Sequence, residues 1–255
     1  MRLKTFGSLL SDFPTCADFR TLFCTFDRSI TMKIIYQTWW KVLAVVLVFY
    51  TLIAGLLMGV PRLPILHETI RNLYFHVPMW FAMLTVLVLS VFFSIRYLRD
   101  GREEDDLAAV ECVNTGMMFY ALGLVTGMIW AKYTWGEFWS GDPKQNSAAI
   151  AFLLYCAYMV LRNSIDEEQK RAKIAAIYNI FAFPVMVVLL FVLPRMTDSL
   201  HPGNGGNPAF GRYDLDDRMR AVFYPACAGW IMLAVWIATI RYRIRLIQQK
   251  RNSLN

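Results

Sequence analysis

The chain has 255 residues, 57% of them hydrophobic and only 18% charged, whereas soluble domains carry about a quarter charged residues. Its formal net charge is +7, but the basic residues lie between apolar runs, which speaks for membrane topology and against nucleic-acid binding. Aromatic residues at 15% exclude a disordered chain, and no heptad persists long enough for a coiled coil.

Six apolar runs follow in order. The first, 39–60, reads WWKVLAVVLVFYTLIAGLLMGV. The second covers 78–97 and opens with PMWF, so Pro78 suits its first turn. The third, 111–131, contains MMFYALGLVTGMIWA. The fourth, 147–162, is short. The fifth, 172–193, contains AFPVMVVLLFVL, and the sixth covers 221–240. Runs of about 17 to 25 residues cross a hydrocarbon core about 30 Å thick as helices. Strands with open edges would leave backbone groups unpaired in lipid. The expectation is an all-α integral membrane protein, a bundle of six transmembrane helices spanning 32–245 with a tail at 246–255.

Lysine and arginine set the orientation. Of 26, 18 fall before or at the start of run one, between runs two and three, between runs four and five, and in the tail. The other eight are Arg62, Arg71, Lys132, Lys144, Arg195, Arg212, Arg218 and Arg220. The positive-inside rule then places both termini in the cytoplasm and the 1–2, 3–4 and 5–6 loops outside. Residues 1–31 have no charged start leading into an apolar core. The text from Met32, MKIIYQTWWKVLAVV, reads as a natural beginning, so 1–31 is expected to be an extension outside the true start.

Five cysteines, Cys16, Cys24, Cys112, Cys156 and Cys227, show no CxxC or CxxCH spacing. This argues against a disulfide framework and against covalent haem attachment. No P-loop, GxGxxG or GxSxG occurs, so nucleotide and acyl chemistry have no support. The spacing of His, Cys and Asp matches no zinc motif.

The chemistry gathers in the outer loops. All three histidines, His67, His76 and His201, are expected there, and none inside a run. The 3–4 loop, WAKYTWGEFWSGDPKQN, carries Trp130, Trp135 and Trp139. Neutral imidazole is a strong axial ligand for haem iron, and a porphyrin needs aromatic faces and cations for its propionates. Trp135 and Trp139, four apart, would share a face if that loop is helical. On spacing alone, membrane-belt anchor and haem platform are equally good accounts of them. For Trp39, Trp40, Trp80, Trp230 and Trp236 the belt account stands, and for His67 a plain surface role. Asp142-Pro143 reads as a helix N-cap followed by proline at the first helical position.

The stretch LVTGMIWAKYTWGEFWSGDPKQNSAAIAFLLY resembles the tryptophan-rich WWD signature of the haem-handling proteins of cytochrome c biogenesis. With YFHVP before run two and LHPG in the last outer loop, the chain is most similar to the haem exporter protein C (CcmC) group over about residues 33–245. The resemblance implies non-covalent, transient binding of haem b at the periplasmic face of a bacterial inner membrane. It implies axial ligands at His76 and His201 and a platform of Trp130, Trp135, Gly136, Trp139, Asp142 and Lys144, the WWD motif occupying about 130–147. Lys132, Arg195 and Arg212 would serve as propionate partners. It also implies delivery to a CcmE-like haem chaperone beside CcmA/CcmB-like ABC transporter subunits, a handling role rather than enzymatic turnover. The departures are Gly141 where the family carries a third tryptophan, Lys144 where arginine is common, and Asn146 where threonine is common.

Competing accounts are a CcsA-type component of a cytochrome c synthetase, a transmembrane haem transporter and a b-type electron carrier. The last usually needs histidine pairs inside the helices. An ion-like path lacks support, since the runs carry no mid-membrane Asp, Glu or Lys.

Overall fold

A computed structural model describes residues 37–61, 66–201 and 215–252. The chain divides into a short N-terminal unit, Met1–Trp39, and a main unit, Trp40–Asn255. The expected start at Met32 lies outside the described residues, as does the turn after His201. Every regular element among the described residues is helical. The helices are α1 (Trp39–Leu57), α2 (Leu73–Asp100), α3 (Glu103–Trp135), α4 (Pro143–Asn163), α5 (Glu168–Val187) and α6 (Asp217–Asn252). A 3₁₀ turn, His67–Asn72, leads into α2. A π turn, Val188–Val192, and a 3₁₀ turn, Leu193–Arg195, extend α5.

Among the described residues, five stretches are long and apolar enough to cross a membrane: α1, His67–Asp100, α3, Glu168–Arg195 and α6. This fits a multi-pass membrane protein. α4 forms as a 21-residue helix but is not among the five, because Gln145, Asn146 and Arg162 shorten its apolar stretch.

Local signals set the helix ends. Gly101, in the left-handed region at φ 68°, closes α2 and donates its N–H to the Tyr97 carbonyl at 2.8 Å. Four acidic residues, Glu103 to Asp106, fill the first turn of α3, where the helix dipole favours negative charge. Gly136, at φ 88°, stops α3. Asp142 caps α4 as the sequence indicates: its side chain accepts from the Lys144 N–H at 2.8 Å, and Pro143 follows. The second helix starts five residues before the expected boundary, because the 3₁₀ turn feeds directly into it. Pro78 therefore sits inside α2, and so does His76.

Packing is that of lipid-embedded helices. Small residues such as Ala82, Ala151, Ala182 and Ala234 are buried between helices, while Val42, Phe49, Val88, Val125 and Val185 are exposed on the outside. Gly116 lets α2 approach α3, since a Cβ there would meet the Leu87 Cδ2 at 2.8 Å. Inside, Asn179 donates to Ser90 at 2.9 Å and Ser94 at 3.0 Å, tying α5 to α2.

Charged pairs gather at one end of the bundle. Buried Glu111 accepts from Arg241 at 2.7 Å and Arg245 at 3.1 Å, Arg162 clasps Asp106, and Arg96 pairs with Asp105 at 3.2 Å. The opposite end holds the start of α2, the end of α3, the start of α4 and the segment after α5. It carries the candidate site.

Candidate functional site

Two imidazoles stand at that end, and each is gripped through its Nδ1. The Thr126 hydroxyl gives its one proton to a carbonyl of its own helix, Leu122 at 2.8 Å or Gly123 at 3.1 Å. Its oxygen can then only accept from His76 Nδ1–H, 3.1 Å away. The His76 Nε2 accepts the Trp80 indole N–H at 3.2 Å, and an indole N–H can only donate. Both contacts therefore select the same neutral tautomer, with the lone pair on Nε2. Glycine makes room for it. A Cβ on Gly127 would lie 2.7 Å from His76 Cε1, and one on Gly123 would lie 3.1 Å from Trp80 Cε2.

His201 is held by a carboxylate. Its Nδ1 lies 2.9 Å from Asp142 Oδ1, and Asp142 also accepts from the Leu200 N–H at 2.7 Å and from the Ser199 hydroxyl at 2.9 Å. Burial works against the charge on Asp142. The bonds from His201, Leu200 and Ser199 outweigh it and hold the carboxyl well below the usual carboxylate range. An ionised carboxylate can only accept, so His201 carries its proton on Nδ1 and its lone pair on Nε2. Burial also pushes the imidazole below its ordinary value against the pull of Asp142, so it is neutral near pH 7. A carboxylate behind a histidine is the common support of a metal-binding imidazole. Asp142 thus does two tasks, capping α4 and orienting His201.

The tryptophans divide between the histidines. Trp130 meets His76 edge-on at 5.8 Å between ring centroids and donates to Thr69 at 3.1 Å. Trp135 meets His201 at 4.8 Å. Trp139 lies beyond the helix stop at Gly136, half-exposed, and donates to Asn146 at 3.0 Å. The expectation that Trp135 and Trp139 share a helical face is corrected: the left-handed Gly136 ends the helix between them. The loop after it is braced by Gln145, which accepts from the Ser140 N–H, and by Asn146, which donates to the Gly141 carbonyl at 2.9 Å. Gly141 has φ 74°, a conformation that disfavours the tryptophan which the sequence resemblance would place at this position.

The cations separate as well. The charge of Lys144, at the start of α4, acts on both His76 and His201, and Arg195 acts on Lys144. Lys132 is engaged elsewhere, capping its own helix through the Gly136 carbonyl at 2.8 Å and lying over the Phe138 ring. Arg212 lies outside the described residues. His67 is exposed with φ 44° at the head of the 3₁₀ turn, and nothing in the structure assigns it a role.

Two expectations change. His76 is not a loop residue but lies inside α2, between that helix and α3. Trp80 is not a plain belt anchor, since its N–H is spent on His76. Sequence reasoning also passed over Thr126, Gly123, Gly127 and Ser199. The four-residue spacings His76/Trp80 and Gly123/Gly127 were the available signal, once run two is seen to begin before His76.

The family model described as "Heme exporter protein C" matches residues 21–255. The chain belongs to the heme exporter protein C family. Several relatives of that name are similar along most of their length. One from Rhodobacter capsulatus is 26% identical over 222 residues, 84% of this chain and 88% of the relative. One from Paracoccus denitrificans is 24% identical over 190 residues, 73% and 77%. A cytochrome c biogenesis protein CcsA from Prochlorococcus marinus is 38% identical, but over 79 residues, 31% of this chain and 25% of the relative. Family membership over residues 21–255 therefore lies with heme exporter protein C, while the CcsA likeness is local.

Proposed function

We propose that this chain binds haem b non-covalently, with His76 and His201 as its axial ligands, and hands it on during the maturation of c-type cytochromes. One observation carries the proposal. Two neutral imidazoles from distant parts of the chain stand at one end of the bundle, each with Nδ1 committed to an acceptor, so that Nε2 is the ligating atom of both. The other needs of a porphyrin lie alongside. Trp130 and Trp135 supply indole surface next to each ligand, and Trp139 extends it. Lys144 and Arg195 supply cations for the propionates. When bound, the iron would take one lone pair from each imidazole, while Asp142 and Thr126 keep the rings in the correct tautomer.

The proposed topology has six spans. α4 serves as the sixth, with Ile150, Leu153 and Val160 exposed toward lipid. Both termini face the cytoplasm of a bacterial inner membrane, an orientation that the lysine and arginine distribution supports. The haem site then lies on the periplasmic side, where a CcmE-like chaperone would collect its cargo and CcmA/CcmB-like subunits would assist. Handling rather than turnover is the activity. The local likeness to CcsA covers too little of that relative to favour a synthetase role.

The test is the absorption spectrum of the detergent-purified protein loaded with haem. Wild type should give a low-spin, six-coordinate signal, and His76→Ala and His201→Ala should each lose it. Retention of the wild-type signal in either variant rejects the ligand assignment.

A further inference from the structure

Resting on the haem reading above, we propose that Trp80 is a reversible cover on the ligating atom of His76, so that the two axial ligands differ in how readily they take and release iron. The structure makes them unequal. His201 Nε2 has no hydrogen-bond partner among the described residues, its grip coming through Nδ1 and Asp142. His76 is held at both edges, with Nδ1–H on Thr126 and Nε2 under the Trp80 N–H at 3.2 Å. Trp80 has a built seat. Its ring fits the slot left by Gly123 and meets Tyr120 edge-on at 5.0 Å, while Tyr120 donates to the Ala148 carbonyl of α4 at 2.9 Å.

The exchange is simple in its bookkeeping. When His76 binds iron, its Nε2 lone pair leaves the indole N–H and becomes the donor to the metal. No proton or electron moves, and the indole N–H loses its acceptor. When His76 lets go, the same hydrogen bond re-forms. Trp80 therefore weakens the second ligand bond and eases its rupture, without touching the first. A carrier must release what it binds, and this places the weak link on α2. His201 ligates first and His76 second, and release runs in the opposite order.

A net hydrogen bond of this kind corresponds to roughly two- to tenfold in an equilibrium. The experiment uses the full chain in detergent, titrated with ferric haem. It reads the six-coordinate low-spin fraction and the rate of haem loss to excess apomyoglobin. Trp80→Phe keeps a ring in the Gly123 slot but removes the N–H, and Trp80→Met removes both donor and ring. Each should raise the low-spin fraction and slow haem loss by about two- to tenfold. Thr126→Val, which removes the acceptor for Nδ1–H, should move both readouts the other way. Opposite signs separate the cover from a general loosening of the fold, which would weaken binding in every variant. Unchanged or faster haem loss in both Trp80 variants, with His76→Ala still abolishing the low-spin signal, overturns the cover and leaves the haem reading standing. A low-spin signal that survives His76→Ala overturns that reading, and the cover with it.

Discussion

Gly127→Ala places one methyl group against the proposed ligand. The added Cβ would sit 2.7 Å from His76 Cε1, 3.4 Å from Nδ1 and 3.6 Å from Nε2. Ordinary contact begins near 3.4 Å, so the imidazole must retreat by about 0.7 Å or α2 must part from α3. Neither His76 bond, 3.1 Å to Thr126 or 3.2 Å to Trp80, absorbs that displacement. Two net hydrogen bonds at about 1 kcal/mol each are at stake. Alanine in mid-helix returns up to about 1 kcal/mol through its better helix propensity. The fold should therefore survive with a net loss of only about 1 kcal/mol, while the ring leaves its ligating position. Haem titration followed by absorption should show affinity down by tenfold or more and the low-spin signal lost. Thermal unfolding in the same detergent should change by only a few degrees. Wild-type affinity with a wild-type spectrum in Gly127→Ala would refute the placement of His76 against α3 as the determinant of ligation.

Other consequences are measurable with the same preparation. Asp142→Asn removes the charge that fixes the His201 tautomer and should lower haem affinity about 10- to 100-fold, the usual range for a carboxylate behind a ligating histidine. Gly141→Trp meets φ 74° and should cost about 1–2 kcal/mol of stability in thermal unfolding without tightening haem. Glu111→Gln breaks the paired charges at the far end of the bundle and should lower the unfolding temperature while leaving haem affinity unchanged. The partners Arg241 and Arg245 are about half-exposed, so the loss should fall below the 3–5 kcal/mol typical of fully buried pairs. On acidification, burial keeps the folded imidazole of His201 below its ordinary value, so it charges at a lower pH than an ordinary histidine. Asp142, held low, remains an acceptor there. Haem affinity followed from pH 8 downward should therefore begin its fall at a lower pH than an ordinary histidine ligand would set, with the ring of His201 gaining its second proton.

The bundle was legible because lipid imposes a plain rule: apolar runs long enough to cross, with charges between them. Five of the six expected runs meet that rule in the folded chain, and the fourth forms a helix whose polar ends weaken its signal. The N-cap at Asp142-Pro143 was legible for an equally local reason. The boundaries were not. His67 to Asn72 contains no apolar period, yet it turns into α2 and carries His76 inside the helix, a result of packing against Thr126 and Gly127 that no short window contains. The helix stop at Gly136, which parts Trp135 from Trp139, depends on a backbone angle that composition does not announce. The double use of Asp142, cap and partner of His201, joins residues 59 apart in the chain. Pairing over that distance is a property of the fold. What the sequence did carry was the pair of candidate ligands, since so few histidines were available to choose among.

The most direct test is a structure of the haem-loaded protein in lipid, from which the distance of iron to each Nε2 is read. The account predicts both His76 and His201 at about 2.0–2.1 Å, as for other metal–imidazole bonds, with Trp80 moved off His76. Iron bound through only one of them, or through neither, would contradict it.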